Sequence, residues 1–195
     1  MFFVFPKIIK PDVCEDIIKE CKENVLEEAL LGNPNIEDRN NPDIRKTSIH
    51  FIKDKDDKVN KIAWHFLKEA NKKEFHYALE YFQPIQFAEY KDGGHYGWHR
   101  DAGPFTTGNT NAIRKLSLTL ALSDPDTFEG GELQFYNGDR PVDNVGEITG
   151  EQVTNDIKSQ GSIIIFDSYD FHRVTPVTNG VRHSIVCWAC GPRFK

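Results

Sequence analysis

A period of two in the middle of the chain constrains the fold more than any other feature of this sequence. Between residues 115 and 123, leucines occupy positions 116, 118, 120 and 122, and small or hydroxylated residues fill the positions between them. Successive side chains of a strand point to opposite faces of a sheet. We therefore expect the leucines to pack against helices or a second sheet, and Ser117, Thr119 and Ala121 to line a cavity.

Further strand-like segments follow from residue 84 onward, separated by turn residues, and they span 85–90, 132–136, 162–167, 171–176 and 181–189. No crossover helix is predicted between them, which favours a double-sheet jelly roll over a parallel α/β sheet. Two longer stretches, 102–113 and 137–161, are predicted to be loops. Either loop can be a mobile surface connection or a source of substrate contacts.

The first 80 residues have helical character. Asp12 is the predicted N-cap of a first helix, and Glu15 would complete a capping box. A second helix is predicted over 59–70, where apolar residues follow the i, i+3, i+4, i+7 pattern, and 32–42 is a predicted loop. The predicted fold class is mainly β (α+β): one domain over 1–195, with helical support in 1–80 and a jelly-roll core in 81–195.

Charge and composition exclude some classes of partner. A net charge of −6 and a pI near 5.6 argue against a protein that tracks nucleic-acid phosphates. The apolar start, residues 1–6, lacks the features of a signal peptide, and no apolar run reaches the roughly 18 residues of a membrane helix. We expect a soluble, cytoplasmic protein with no membrane partner, and the sequence does not indicate its oligomeric state. The cysteines are predicted to be buried free thiols: Cys14, Cys21, Cys187 and Cys190.

Candidate metal ligands lie at the end of one predicted strand and within a much later one. His99 and Asp101 are two apart, so a strand presents both to one side. His172 can supply a second imidazole. Two histidines and one carboxylate on one face suit a non-haem Fe(II) centre with open positions. His95 stands four residues before His99, which is zinc-ligand spacing on a helix, but neighbouring glycines disfavour a helix and we expect a turn or surface residue.

The last predicted strand adds a cation. Arg182, Ser184 and Trp188 share one face by parity, so they would point inward together. A buried guanidinium needs an anion, because an unpaired buried charge is costly. A dicarboxylate bound through two hydrogen bonds would satisfy Arg182. A salt bridge to a protein carboxylate is the alternative.

Three motifs carry a family resemblance: Tyr90-x-x-Gly93-x-x-Tyr96-x-x-His99-x-Asp101, then Leu118 to Pro125 running into Phe128-Glu129-Gly130-Gly131-Glu132-Leu133, and His172-Arg173-Val174-Thr175-Pro176 followed by Arg182 and Trp188. They resemble the motifs of 2-oxoglutarate- and Fe(II)-dependent dioxygenases of the prolyl 4-hydroxylase-like group. Within that group the chain is most similar to the PKHD-type hydroxylases of bacteria and phages. The motifs cover roughly residues 80–190, and they are specific for the iron and co-substrate site but not for the substrate.

The resemblance implies a double-stranded β-helix whose iron is held by His99, Asp101 and His172. It also implies 2-oxoglutarate as the co-substrate, O2 as the oxidant and ascorbate as an optional reductant. Arg182 would pair with the far carboxylate of 2-oxoglutarate. Related halogenases lack the carboxylate ligand, so the presence of Asp101 favours hydroxylation.

The same resemblance implies that Tyr90 and Trp188 lie near the co-substrate. The chain departs from some eukaryotic prolyl hydroxylases on the strand over 115–123, where those enzymes carry a tyrosine that helps to hold the far carboxylate. This chain offers only Ser117, Thr119 and Ala121 on that face. Thr119 is the substitute that we expect.

The implied activity is hydroxylation of a C–H bond, with release of succinate and CO2 from 2-oxoglutarate. Family analogy suggests a prolyl residue of a peptide or protein as the substrate, and a free amino acid or small molecule stays open. A non-catalytic, cupin-like metal-binding module is the competing interpretation. A nucleic-acid demethylase is disfavoured by the acidic balance. Trp98 and Arg100 have opposite parity to His99 and are expected to face away from the site.

Overall fold

Two antiparallel β-sheets dominate the computed structural model, which describes residues 2–31, 40–52, 54, 57–103, 111–136, 151–152 and 155–193. The strands are β1 (Phe2–Phe5), β2 (Glu27–Glu28), β3 (Arg45–Lys46), β4 (Ser48–Ile52), β5 (Tyr81–Phe82), β6 (Ile85–Lys91), β7 (His95–His99), β8 (Ala112–Ala121), β9 (Phe128–Gly130), β10 (Leu133–Phe135), β11 (Glu151–Gln152), β12 (Ile163–Asp167), β13 (His172–Val174) and β14 (Val177–Pro192). The helices are α1 (Pro11–Lys22), α2 (Lys58–Ala70) and α3 (Asn155–Lys158), with a π-helical turn, Asn71–Phe75, continuing α2 and a 3-10 turn at Pro125–Thr127.

The strand order brings the two halves of a jelly roll face to face. The larger sheet runs β1-β12-β8-β14-β6-β4-β2, and β5 and β9 also pair with β14. The smaller sheet runs β11-β10-β13-β7-β3. Side chains of the two sheets pack against each other in two hydrophobic clusters. One contains Phe135 of β10 and Phe166 of β12, and the other contains Val174 of β13 and Tyr90 of β6. The predicted jelly-roll class is confirmed.

The leucine face of β8 lies in the main hydrophobic core, as predicted. Leu116, Leu118, Leu120 and Leu122 are buried together with residues from both long helices, among them Ile17 of α1 and Leu67 of α2. Burying a leucine side chain stabilises a fold by about 1.5–3 kcal/mol. The helices therefore cover the outer face of the larger sheet and leave its inner face toward the smaller one.

Both predicted helices form, but the start of α1 differs from its prediction. The helix begins at Pro11, Lys10 takes the N-cap position, and no side chain caps it, so the prediction of Asp12 as the N-cap is wrong. Proline is favoured at the first helical position because its fixed φ suits a helix and its missing N–H is not needed there. Asp12 instead accepts a hydrogen bond from the Val13 N–H over 3.0 Å. In α2, Asp57 caps the Val59 N–H.

The first 80 residues are not only helical, because they also supply strands to both sheets. β1 pairs with β12 at one edge of the larger sheet, and β2 and β4 extend the other edge beyond β6. β3 adds to β7 at the edge of the smaller sheet. Short edge strands such as β2 and β3 are marginal by themselves, and the partner of β3, β7, lies far along the chain.

Several predicted bounds change. β14 is longer than the predicted 181–189, and β10 and β13 are shorter than predicted. Much of the predicted loops 32–42, 102–113 and 137–161 lies outside the described residues, although β11 and α3 occupy parts of the third. The four cysteines are buried and free, as predicted. Among the described helices, none has the length and apolar character that crossing a membrane requires.

Three β-bulges interrupt the described strands: one where β14 pairs with β9, and two, on β8 and on β7, that bear on the site. On β8, Leu116 pairs with Ala189 and Arg114 with Cys190, so β8 carries one extra residue there. On β7, His99 pairs with His172 and Tyr96 with Val174, which again leaves one extra residue on the first strand. A bulge shifts the alternation of side chains by one position. Both shifts occur beside the candidate site described below.

Candidate functional site

The three predicted metal ligands meet between β7 and β13. His99 lies opposite His172 in the antiparallel pair, and Asp101 follows the end of β7. His99 Nε2 is 3.6 Å from Asp101 Oδ1, and His172 Nε2 is 3.6 Å from Asp101 Oδ2. The three ligand atoms lie within 4.8 Å of one another, a spacing that one metal ion can bridge.

Backbone carbonyls hold both imidazoles in the tautomer that a metal needs. His99 Nδ1 is 2.8 Å from the Gly97 carbonyl, and His172 Nδ1 is 3.0 Å from the Asp170 carbonyl. An Nδ1–H that donates to a carbonyl leaves the Nε2 lone pair free, and this is the usual support of a metal-binding histidine. The donor set, two imidazole nitrogens and one carboxylate oxygen, fits Fe(II).

The electrostatics of the triad suit a ligand set. Burial lowers the pKa of His172 to about 4, with His99 adding to the shift and Asp101 opposing it, so this imidazole is neutral at pH 7. Burial by itself would raise the pKa of Asp101, but His172, His99 and Arg114 outweigh it and hold that pKa well below its usual range. The site therefore offers a neutral imidazole and an ionised carboxylate, the forms that bind a metal.

Two residues of β8 that sequence reasoning did not assign to the site support Asp101. Ser117 Oγ donates to Asp101 Oδ2 over 2.7 Å, and Arg114 Nη1 donates to the Asp101 carbonyl over 3.3 Å. Ser117 was on the face predicted to line a cavity. Arg114 had no such signal, because the bulge on β8 turns it to the same side as Ser117 although the two are three positions apart.

All seven predicted site residues line one cavity of about 360 Å³ between the sheets: Tyr90, His99, Asp101, Thr119, His172, Arg182 and Trp188. Tyr90, Thr119, Arg182 and Trp188 come from the inner face of the larger sheet, and His99 and His172 come from the smaller sheet. The structure thus brings the predicted residues together. Their individual roles remain predictions.

Arg182 is a buried cation within this cavity. Only 7% of the residue is exposed, its Nη1 donates to Ser184 Oγ over 3.3 Å, and its guanidinium carbon lies 5.3 Å from the centre of the Tyr90 ring. Burial lowers the pKa of Arg182. No carboxylate of the described residues forms an ion pair with it, so the salt-bridge alternative finds no partner within that part of the chain. An anionic ligand would supply the missing charge.

Gly131 makes room for the Arg182 side chain. Its φ of +61° is a left-handed conformation, and an added Cβ would lie 2.7 Å from Arg182 Cδ and 2.9 Å from a methyl of Val177. Only glycine avoids both the backbone strain and this overlap. The Gly130-Gly131 motif therefore has a local physical reason next to the predicted anion site.

Two residues that line the same cavity carry a buried donor without a partner among the described residues. Within the described residues, the buried side-chain polar atoms that lack a hydrogen-bond partner are Arg45 Nε and Trp188 Nε1, and both residues line the cavity. Arg45 stacks over Tyr96 at 4.6 Å, and Tyr96 stacks on His99 with ring centres 3.5 Å apart. Trp188 lies under the Arg114 guanidinium at 3.8 Å. Both orphaned groups are N–H donors, so the chemistry of the cavity calls for ligands with acceptor oxygens.

Three residues that lie near His99 in the sequence, Trp98, Arg100 and His95, do not line the cavity. Trp98 and Arg100 do not line the cavity and instead contact outer groups: Trp98 lies against Tyr136 and Arg100 lies over Phe171. Their predicted outward direction is confirmed. His95 is not in a turn, since it begins β7, where its ring nitrogens contact the carbonyls of Gly93 and Asp43.

The fold and the triad define a class: jelly rolls that can hold a metal through two histidines and one carboxylate. The family model described as the 2OG-Fe(II) oxygenase superfamily matches residues 85–190, more than half of the chain. This chain belongs to the 2OG-Fe(II) oxygenase superfamily. The matched region contains all three triad residues and Arg182.

Curated relatives point to one group in this superfamily. A PKHD-type hydroxylase of Teredinibacter turnerae is 34% identical over 110 residues, which are 56% of this chain and 43% of that protein. One from Pseudomonas putida is 37% identical over 101 residues, 51% of this chain and 39% of that protein. The chain thus spans less than half the length of these curated relatives.

Solved structures share the fold at low sequence identity. A Pseudomonas putida prolyl-4-hydroxylase superimposes with a TM-score of 0.69 at 20% identity, covering 98% of this chain and 92% of that one. A Trichoplax adhaerens prolyl hydroxylase in complex with a hypoxia inducible factor peptide gives a TM-score of 0.68 at 16% identity, covering 96% and 82%. At this identity the likeness shows the fold, a double-stranded β-helix.

Proposed function

We propose that this chain is an Fe(II)- and 2-oxoglutarate-dependent hydroxylase that acts on a C–H bond of a prolyl residue in a peptide or protein. One observation carries the proposal: a triad of two histidines, each with its Nδ1 at a backbone carbonyl, and a carboxylate shares a cavity with a buried arginine that forms no ion pair with a described carboxylate. A metal site alone would not need that arginine. A metal site that also binds a dicarboxylate would.

Each side chain has a proposed task in this reaction. His99, Asp101 and His172 would hold Fe(II), which when bound with 2-oxoglutarate and O2 supplies the oxidising power for hydroxylation and yields succinate and CO2. Arg182 would bind the far carboxylate of 2-oxoglutarate by a charge-assisted pair. Tyr90 is in contact range of that guanidinium.

The remaining pocket residues would orient the co-substrate. Thr119 and Trp188 line the same cavity, and the Trp188 Nε1–H, which has no partner among the described residues, would donate to an acceptor oxygen of the co-substrate. Buried apolar side chains, among them Phe166 and Val174, border the cavity and would keep water away from the reacting atoms.

The proposal includes two more specific statements: the substrate is a prolyl residue, and residues 1–195 form a single domain. Support for a prolyl residue comes from the relatives, since the similar solved structures are named prolyl hydroxylases and one of them holds a peptide of hypoxia inducible factor. A cavity of about 360 Å³ that opens beside β2, β3 and β4 is compatible with a peptide side chain entering next to the triad.

The test is co-substrate turnover linked to substrate oxidation. The protein is incubated under air with Fe(II), 2-oxoglutarate, ascorbate as the reductant and proline-rich peptides, and succinate and a gain of one oxygen atom by the peptide are measured. Asp101→Ala and His172→Ala should each abolish both signals. His95→Ala is the matched control, because it removes an imidazole from β7 that does not line the cavity. Undiminished succinate release by either ligand variant would refute the proposal.

The competing function is a metal-binding module without oxygenase activity. Anaerobic titration of the Fe(II) protein with 2-oxoglutarate separates the two, since chelation of the iron by a keto acid produces a visible charge-transfer band. The enzyme requires this band. A protein that binds Fe(II) but shows no band with 2-oxoglutarate would be the module.

A further inference from the structure

A short chain of buried hydroxyl groups ends on the carboxylate of Asp101. Ser117 Oγ donates to Asp101 Oδ2 over 2.7 Å, and Ser168 Oγ lies 2.9 Å from Ser117 Oγ. Neither serine is exposed to solvent. A hydroxyl has one proton to donate, and that of Ser117 is used on the carboxylate. The second hydrogen bond must therefore run from Ser168 to Ser117, which fixes the direction of the chain.

Both serines of this hydrogen-bonded pair are fixed by backbone contacts. Ser117 lies within β8, where it pairs with Phe166 of β12 on one side and Trp188 of β14 on the other. The Ser168 N–H donates to the Lys115 carbonyl over 3.0 Å, and the Ser168 carbonyl accepts from the Ala102 N–H over 2.8 Å. Ser117 thus lies within a central strand of the larger sheet, and Ser168, in the turn after β12, is fixed to that strand by its backbone bond to Lys115. A site supported in this way keeps its geometry closely.

The contact makes the two oxygens of Asp101 unequal. Oδ1 faces His99 Nε2 at 3.6 Å, whereas Oδ2, at the same distance from His172 Nε2, also accepts the Ser117 hydrogen bond. Hydrogen bonds to a carboxylate oxygen compete with its use as a metal ligand and fix the direction of the carboxylate plane. Oδ1 is left as the oxygen that can bind a metal without giving up a bond.

The number of oxygens through which Asp101 would bind a metal decides whether that metal would keep a position for oxygen. An octahedral metal with three protein ligands keeps three open positions. A chelating 2-oxo acid takes two of them and oxygen needs the third. If the carboxylate bound through both oxygens, it would occupy the position that oxygen needs.

We propose that Ser117, oriented by Ser168, is a positioning residue that restricts Asp101 to a single metal-binding oxygen and so keeps one coordination position open. The inference rests on the proposed function, because it concerns the same iron site. It adds a residue outside the ligand set that controls access of oxygen to the metal.

The test uses nitric oxide, a stand-in for O2 that binds an open position on Fe(II) without turnover. The anaerobic Fe(II) and 2-oxoglutarate protein is titrated with nitric oxide and followed by electron paramagnetic resonance. Ser117→Ala and Ser117→Cys remove the strong donor, and each should weaken nitric oxide binding about 10- to 100-fold without weakening Fe(II) binding, because the freed Oδ2 would become an additional metal ligand. Ser117→Thr keeps the hydroxyl and should stay near the parent protein.

Two further variants keep the test decisive. Ser162→Ala is the matched control, because it removes a buried hydroxyl from the edge of β12, where it accepts a bond from the Lys7 N–H, and it should leave both affinities unchanged. Ser168→Ala keeps the Ser117 hydroxyl but removes the hydrogen bond that orients it. Its affinity for nitric oxide should therefore fall less than that of Ser117→Ala. If Ser117→Ala does not fold, the Cys and Thr variants decide.

Parent-like nitric oxide affinity in Ser117→Cys would overturn the inference. A parent protein that binds no Fe(II) with 2-oxoglutarate would instead overturn the proposed function.

Discussion

Replacing Arg182 by methionine should stabilise the free protein and destroy its affinity for 2-oxoglutarate. The guanidinium is buried, and within the described residues it forms no ion pair with a carboxylate and has one hydrogen bond, to Ser184. Burying a charge without a counter-charge opposes folding, and apolar replacements of buried ionic groups are neutral or stabilising by about 1–4 kcal/mol. The bond to Ser184 offsets part of this gain. We therefore expect the free energy of unfolding to rise by about 1–2 kcal/mol, which raises Tm by roughly 2–8 °C for a chain of this size.

The ligand-bound protein should respond in the opposite direction. Without Arg182, the far carboxylate of 2-oxoglutarate would be buried with no cation, and breaking a buried charge pair in this way costs about 3 kcal/mol or more. At about 1.4 kcal/mol per tenfold, the KM for 2-oxoglutarate should rise roughly 100-fold or more. The stabilisation that 2-oxoglutarate at 100 times the parent Kd gives the parent, about 2.7 kcal/mol, should fall to about 0.4 kcal/mol or less.

Thermal denaturation with and without 2-oxoglutarate measures both effects in one assay. Ni(II) replaces Fe(II) so that no turnover occurs during heating. Arg193→Met serves as the control, because Arg193 is exposed and follows the end of β14 outside the cavity. A Tm of Arg182→Met well below that of the parent, or an undiminished shift with 2-oxoglutarate, would show that Arg182 is a structural cation and would refute the reasoning.

Two further predictions concern the neighbours of Arg182. Gly131→Ala should raise the KM for 2-oxoglutarate about tenfold in a succinate assay, because the new Cβ would displace Arg182 Cδ. Gly93→Ala has the same left-handed strain with no atom within 4 Å of its Cβ and should leave that KM unchanged; equal effects would contradict the steric argument. Burial lowers the pKa of His183, whose Nε2 lies 3.1 Å from Glu89 Oε2. As the pH falls, the unfolded chain therefore binds a proton at His183 at a higher pH than the folded protein does. The free energy of unfolding should fall as the pH drops below about 6.5. Urea unfolding of the metal-free protein at pH 7 and pH 5.5 should show a smaller loss for His183→Gln than for the parent, and an equal loss would assign the effect to other groups.

Part of the inner face of the larger sheet could be predicted from the sequence, because the side chains of residues 117–121 on β8 and 182–188 on β14 alternate without a bulge. The period of two places Ser117 and Thr119 on one side of β8, and Arg182, Ser184 and Trp188 on one side of β14. Parity depends only on local backbone geometry. It therefore remains valid although the paired strands lie far apart in the chain.

Elements that depend on tertiary pairing were not predictable in the same way. β1 is a run of apolar residues, Phe2–Phe5, with no alternation, and its strand character comes from its pairing with β12. The predicted start of α1 was wrong because Pro11 determines the first turn more strongly than the side chain of Asp12 does. Short runs and helix ends are where context outweighs local preference.

Parity fails at a bulge, and the bulges on β7 and on β8 both lie at the site. Arg114 and Ser117 are three apart on β8 and both reach Asp101, and Tyr96 and His99 are three apart on β7 and stack on each other. A strictly alternating strand would send one member of each pair to the opposite face. No sequence pattern marks the extra residues, so these contacts needed the structure.

The bulge on β7 has a consequence for how this chain can diverge. Loss of a single codon between Tyr96 and His99 would make the pairing with β13 regular, and in a sequence comparison it would count as one small gap. In the folded protein it would turn Tyr96 and Arg45, which stacks on it, away from the His99 ring while the histidine and aspartate letters stayed intact. Homologues that keep every ligand but lack this one inserted position should therefore be regarded as having a different pocket, and the length of the Tyr96–His99 segment is as informative as its composition.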